Sequence, residues 1–284
     1  VLLERALELY QKGLEYWETL AREQATAEAR RDLTISYERM GGIYQTLGGQ
    51  ANLERALELN QKSLELRETL ARELGTAKSR RDLTISYERV GWVYQALGGQ
   101  ENLKRALELY QRELTCSEAL ARELGTAQSR RDLTISYDYV GRVYQTLGGR
   151  DNLERALVLY QKCLELAEAL TRELGTAQSR RDLTIVYKRT GAVYQALGGR
   201  DNLERALELY RKCLELREAL ARELSTAESR QDLAVTYDNV GLVYQALGGQ
   251  DNLEQSLALY QKGLELRETL AWELGTAESR QYLT

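Results

Sequence analysis

The 284-residue sequence has no histidine, no proline and no phenylalanine. Without histidine there is no Ser-His-Asp triad, no His-bearing zinc site and no imidazole acid–base pair. Long uncharged apolar runs are also missing, and the mean hydropathy is −0.50. A membrane-spanning helix of about 20 residues is therefore excluded. Cysteine is scarce: Cys116, Cys163 and Cys213 are an odd, widely spaced set that makes no disulfide framework. The expected setting is reducing, intracellular and cytoplasmic. Positive charge is not in excess, with 39 Lys and Arg against 43 Asp and Glu and a net charge of −4. A general binder of nucleic acid or anionic membrane depends on clustered Lys and Arg, so neither partner is expected. The chain starts at Val1 with neither an initiator Met nor a signal sequence, and the expectation is an excised piece of a longer protein.

What the sequence does contain is a repeat of 50 residues. Leu-Gly-Gly recurs at 47–49, 97–99, 147–149, 197–199 and 247–249. Asp-Leu-Thr-Ile recurs at 32–35, 82–85, 132–135 and 182–185, and becomes Asp-Leu-Ala-Val at 232–235. The glycines fall in these periodic columns, apart from Gly13, Gly42 and Gly263, and none forms a flexible linker. The whole of 1–284 is therefore expected to be a single array of five to six units, with no internal domain boundary. Units that bury their apolar faces only against neighbours stack into a solenoid.

Each unit predicts two helices. From Asn102 to Leu124, Leu103, Ala106, Leu107, Tyr110, Leu114 and Leu120 follow helical steps among good helix formers. Asp151 with Glu154, and Asp251 with Glu254, have capping-box spacing. Gly75, Gly125, Gly175 and Gly275 stand where a left-handed C-cap ends this helix, and Thr76 can cap the next. The second helix is predicted over 77–97, with Leu83, Tyr87, Val90, Tyr94 and Leu97 as its apolar stripe. Gly91 lies inside that stripe. A mid-helix glycine costs about 1 kcal/mol relative to alanine, so its recurrence predicts a close helix–helix contact. Glu68 with Arg72 and Glu118 with Arg122 have salt-bridge spacing. The count is about eleven helices, all-α.

The pattern Tyr87-x-x-Val90-Gly91-x-x-Tyr94-x-x-x-Gly98, followed by Ala106-x-x-x-Tyr110, resembles the tetratricopeptide repeat. The position three residues on is Gly13, Ser63, Glu113, Cys163, Cys213 and Gly263, mostly small as that family expects. The resemblance covers the whole chain and implies a right-handed superhelix of helix-turn-helix units whose concave groove takes peptide or protein ligands. The unit here is 50 residues rather than about 34. The extra length lies in the turn after Gly98 and in longer helices around Gly125. Such long units look like the sensor or partner-binding arms of large bacterial multidomain proteins. The array begins and ends in mid-unit, so the parent protein is expected to continue in both directions.

Comparison of the copies picks out candidate binding residues. Variation concentrates beside the central glycine. Three residues before it stand Glu38, Glu88, Asp138, Lys188 and Asp238. Two before stand Arg39, Arg89, Tyr139, Arg189 and Asn239, and one after stand Gly42, Trp92, Arg142, Ala192 and Leu242. The resemblance puts this face in the concave groove, as a mixed-charge lining. Trp92, Tyr139 and Arg142 are residue types that carry interface hot spots; the competing reading of the same variation is drift of exposed columns after duplication. Gln95, Gln145 and their equivalents either offer hydrogen bonds to a bound peptide or bond neighbouring helices. The cysteines read as packing residues. The pairs Arg30-Arg31, Arg80-Arg81, Arg130-Arg131 and Arg180-Arg181 read as salt-bridge partners between helices. Gly-Gly-Gln/Arg lacks the Lys-Ser/Thr of a phosphate loop, and the acidic pairs recur in every copy, so no catalytic residue, metal site or cofactor is expected. The expected function is a non-catalytic protein- or peptide-binding scaffold or sensor arm. The rival is a structural spacer, or a rod that self-associates end to end through uncapped termini. Nucleic-acid binding by helical repeats is weakened by the acidic pI of about 5.4.

Overall fold

The computed structural model describes residues 2–274, which form eleven helices and no strand. They are α1 (Leu2–Gln24), α2 (Ala27–Leu47), α3 (Gln50–Leu74), α4 (Ala77–Leu97), α5 (Gln100–Leu124), α6 (Ala127–Leu147), α7 (Arg150–Leu174), α8 (Ala177–Leu197), α9 (Arg200–Leu224), α10 (Ala227–Leu247) and α11 (Gln250–Leu274). Two compact units are distinguished, the first through Leu147 and the second from Gly148. Within each unit, every helix packs against its neighbours in chain order.

Local chemistry sets the boundaries. Gly75 takes a left-handed conformation (φ 60°), and its N–H donates to the Ala71 carbonyl at 3.0 Å. Thr76 then caps α4, its hydroxyl accepting the Ser79 N–H at 3.1 Å. At the other end Gly98 and Gly99 have φ of 69° and 81°, which turns the chain in two residues. The expected capping boxes at Asp151 and Asp251 are not the caps. The odd-numbered helices start earlier, so both aspartates lie inside the first turn. The N-cap of α7 is Gly149, with no side-chain cap bond. The asparagine of this turn does different work: the Asn102 amide donates to the Gly98 carbonyl of the preceding helix at 2.8 Å, and Asn52, Asn152, Asn202 and Asn252 repeat it.

The core is made where the stripes meet. In the first unit Met40, Tyr44, Ala56 and Val93 are buried together, with Leu53, Leu57 and Leu97 packed on them. The glycine inside the stripe makes the predicted close contact: a Cβ on Gly91 would stand 2.7 Å from the Tyr110 ring, and that tyrosine is fully buried. Cys163 and Cys213 are buried as packing residues. The second Tyr column ties helix pairs together, since Tyr87 donates to Glu68 at 2.9 Å and Tyr137 to Glu118 at 3.0 Å. This corrects the expected Glu68–Arg72 and Glu118–Arg122 pairs: the glutamates turn to tyrosine, and Arg72 donates to the Glu68 carbonyl instead. The repeated arginines do bridge helices, as Arg30–Glu73, Arg80–Glu123, Arg180–Glu223 and Arg230–Glu273.

Candidate functional site

The even-numbered helices carry the candidate residues, one turn either side of the central glycine. The structure divides the three variable columns by what they touch. The columns three and two residues before the glycine are largely spent inside the protein. Glu38 of α2 is buried, accepts hydrogen bonds from Ser63 at 3.0 Å and Ser86 at 3.1 Å, and lies among the guanidiniums of Arg67 (3.6 Å) and Arg89 (3.7 Å). Arg39 is exposed. One copy along, Tyr139 of α6 donates to Glu88 of α4 at 2.5 Å and stacks on Tyr110, with ring centroids 5.0 Å apart. The same spacing of 51 residues therefore joins Glu38 to Arg89 and Glu88 to Tyr139. Burial and the bond to Glu88 push the Tyr139 hydroxyl far above its ordinary pKa, which keeps it a donor. Asp138 pairs with Arg142 at 4.0 Å.

In the second unit Lys188 and Arg189 on α8, and Asn239 on α10, are half-buried, and Asp238 pairs with Arg267 of α11. The glutamine column is also structural in part. The Tyr110 hydroxyl donates to Gln95 at 2.8 Å, Tyr210 to Gln195 at 3.4 Å and Tyr260 to Gln245 at 3.3 Å. Gln145 is half-buried.

The column one residue after the glycine behaves differently. Trp92 is 43% exposed in the first unit and Leu242 is 45% exposed in the second. Arg142 and Ala192 are half-exposed. Large apolar groups therefore face solvent at a position where the scaffold does not require them.

Sequence reading missed two features. One is the internal use of the charged columns, which the spacing of 51 residues between complementary residues encodes. The other is the column Arg67, Ser117, Ala167, Arg217 and Arg267 on the odd-numbered helices. Arg67 pairs with Glu38 and with Asp82 at 2.9 Å, Arg217 with Asp232, and Arg267 with Asp238. Among the described residues, no group of three or more His, Cys, Asp or Glu is arranged to hold a metal ion, and no helix is long and apolar enough to cross a membrane.

The sequence matches no protein-family model and no curated protein sequence. The structure is similar to solved helical repeat proteins. It superposes on BtubC (BKLC) from P. vanneervenii with a TM-score of 0.70 at 20% identity, covering 95% of this chain and 92% of that one. It matches the quorum sensor NprR from B. thuringiensis with a TM-score of 0.56 at 15% identity, over 99% of this chain and 64% of that one. It matches a signal transduction ATPase with numerous domains from Pyrococcus horikoshii, which carries a tetratricopeptide repeat sensor, with a TM-score of 0.52 at 16% identity. That match covers 99% of this chain and 39% of the larger protein. In fold, the chain is a repeated helix-turn-helix array of the tetratricopeptide-like kind.

Proposed function

We propose that the chain is a non-catalytic binding scaffold that takes a protein or peptide on the outward column of the even-numbered helices within a unit. The observation that carries this reading is the exposure of Trp92 and Leu242 in a variable column. The neighbouring variable columns turn inward to hold helices together, so their variation is tied to packing. Variation in the outward column is free of that constraint, and it places an indole and a guanidinium in the first unit, and separately a leucyl side chain in the second, where a partner can bury them. Exposed aromatic and arginine side chains are the usual anchors of such contacts. The structural neighbours described as a quorum sensor and a repeat sensor support a binding role for this architecture. The reading no longer needs Tyr139 as a free contact residue, because its ring and hydroxyl are both engaged. A pull-down from native cell extract with Trp92→Ala, Arg142→Ala and Leu242→Ala combined tests it: the partner is lost while helicity and melting are kept.

The rival reading is a structural spacer, or a rod that self-associates end to end. An end-to-end rod predicts a light-scattering mass that rises with concentration and is insensitive to the Trp92, Arg142 and Leu242 substitutions.

A further inference from the structure

Two neighbouring copies in the first unit handle charge in opposite ways. Between α2, α3 and α4, the carboxylates of Glu38 and Asp82 lie among three guanidiniums: Arg67 reaches both, Arg31 reaches Asp82 at 3.3 Å, and Arg89 reaches Glu38. Between α4, α5 and α6, the equivalent carboxylates are Glu88 and Asp132. Ser117 stands in place of Arg67, and Tyr139 in place of Arg89. A third carboxylate is added, because Glu113 replaces the Ser63 of the previous copy. The copy that lost two arginines therefore gained an acid.

Glu113 is 5% exposed. One of its oxygens accepts from Ser136 at 2.6 Å and Ser117 at 3.2 Å, and the other has no hydrogen-bond partner. The groups facing it are Glu88 from α4, Asp132, Ser136 and Tyr139 from α6, and Tyr110, Cys116 and Ser117 on its own helix. The cations of the packed helices are engaged elsewhere. Arg81 pairs with Asp132 at 3.1 Å, Arg80 with Glu123, Arg89 with Glu38 and Arg142 with Asp138. A neutral carboxyl suits this place. A carboxylate would rest on two hydroxyls while two further carboxylates face it, and a buried charge without a counter-charge is costly.

The cluster lies beneath the outward column. Glu88 is one turn before Trp92 on α4, and Tyr139 is one turn before Arg142 on α6. The Tyr139–Glu88 bond and the Tyr139–Tyr110 stack join α4, α5 and α6 at this level. We propose that Glu113 is a pH-sensitive latch: protonated, it lets the three helices close, and its ionisation loosens them where Trp92 and Arg142 are presented. This regulation deepens the scaffold reading above and rests on it. Burial first, then the charges of Glu88 and Asp132, raise Glu113 to about 7 against the bonds from its two serines. In an opened segment water reaches the carboxyl, which returns to its ordinary value of 4.5. Opening therefore releases a proton and is favoured as the pH rises. Linkage between these two values makes it about tenfold more frequent at pH 8 than at pH 6. Opening stays local because each unit of a repeat array rests only on its neighbours.

The test is amide hydrogen exchange of the whole chain at pH 6 and pH 8, read by mass spectrometry, with the intrinsic rate at each pH divided out. The expected result is that protection over 85–95 on α4, 106–118 on α5 and 133–145 on α6 falls about tenfold from pH 6 to pH 8. Protection of α8, α9 and α10 stays unchanged. Glu113→Gln, isosteric and without a charge to gain, removes the fall. Ser117→Arg reduces it by restoring the guanidinium that Arg67 supplies in the preceding copy. No fall in the parent chain, an equal fall in both units, or a fall that persists in either variant overturns the proposal. No partner is needed for these readings. Such a failure is therefore distinct from failure of the scaffold reading, which is judged by partner loss on substitution of Trp92, Arg142 and Leu242.

Discussion

Replacing Asn60 by tyrosine should stabilise the protein, and the size of the effect follows from one irregular position. The column Tyr10, Asn60, Tyr110, Tyr160, Tyr210 and Tyr260 is tyrosine in every copy but one. Asn60 is 1% exposed, and neither its carbonyl nor its amide has a hydrogen-bond partner. The amide of Gln45, which stands where Gln95 accepts the Tyr110 hydroxyl, is also buried and unpaired. Each such orphan costs about 1–3 kcal/mol, and a restored bond returns about 1 kcal/mol. Burying an aromatic ring adds a further gain of about 1.5–3 kcal/mol. Fixing the larger side chain and local crowding offset part of this. Gly41 leaves the same approach that Gly91 gives the Tyr110 ring, and Arg89 stands where Tyr139 stacks on Tyr110. A net gain of about 2–4 kcal/mol is expected for Asn60→Tyr. At about 2.1 cal/mol/K per residue, that raises the melting midpoint by about 3–7 °C. The assay is thermal and urea unfolding followed by far-UV circular dichroism, with Asn60→Leu as the control. Leucine removes the two Asn60 orphans without a hydroxyl and should gain less. A midpoint of Asn60→Tyr equal to or below the parent would refute the reasoning, because the α2–α3 contact would then not be the pocket that α4 and α5 build.

Other substitutions follow from the same geometry. Gly91→Ala should lose about 1–2 kcal/mol on urea unfolding, since the added methyl meets the buried Tyr110 ring at 2.7 Å and overpacking exceeds the gain in helix propensity. Gly191→Ala should lose less, because the Tyr210 ring is 3.1 Å away and a small shift relieves it. Ala25 and Ser225 hold positive φ of 51° and 50° where the other copies use glycine, so Ala25→Gly and Ser225→Gly should each gain about 1 kcal/mol in the same assay. Glu113 stays neutral in the fold at pH values where the unfolded chain has ionised it. Stability should therefore fall as pH rises from about 4.5 to about 7, by about 3 kcal/mol from this group, and level off above. Glu113→Gln should remove that slope when urea midpoints are compared at pH 5.5 and 8.

The fold was legible because its signals are local and repeated. Gly75, Thr76 and Gly98 set helix ends by backbone conformation and capping, which adjacent residues decide. Gly91 announced a close contact because a helix interior does not otherwise keep glycine. The odd-numbered helix starts were misplaced for a physical reason: Asp151 and Asp251 have the spacing of a cap, but the double glycine turn lets the helix begin before them. The candidate site was legible only in part. The variable columns were visible in the sequence, yet copy-to-copy difference does not say whether a side chain turns out to a partner or in to the next helix. Glu38, Glu88 and Tyr139 turn in and Trp92 and Leu242 turn out, which depends on how adjacent helices are set side by side. The loss of counter-charge around Glu113 required pairing Arg67 with Glu38 and Asp82, a contact between three helices.

The central claim is that the outward column of the even-numbered helices holds a partner. The most direct measurement is a quantitative pull-down from native cell extract, read by mass spectrometry, with the parent chain beside the Trp92→Ala, Arg142→Ala, Leu242→Ala variant. The account predicts a protein retained by the parent and depleted about tenfold or more by the variant, as loss of hot-spot contacts worth over 1 kcal/mol each requires, with unchanged melting curves. Identical retention by both would contradict it.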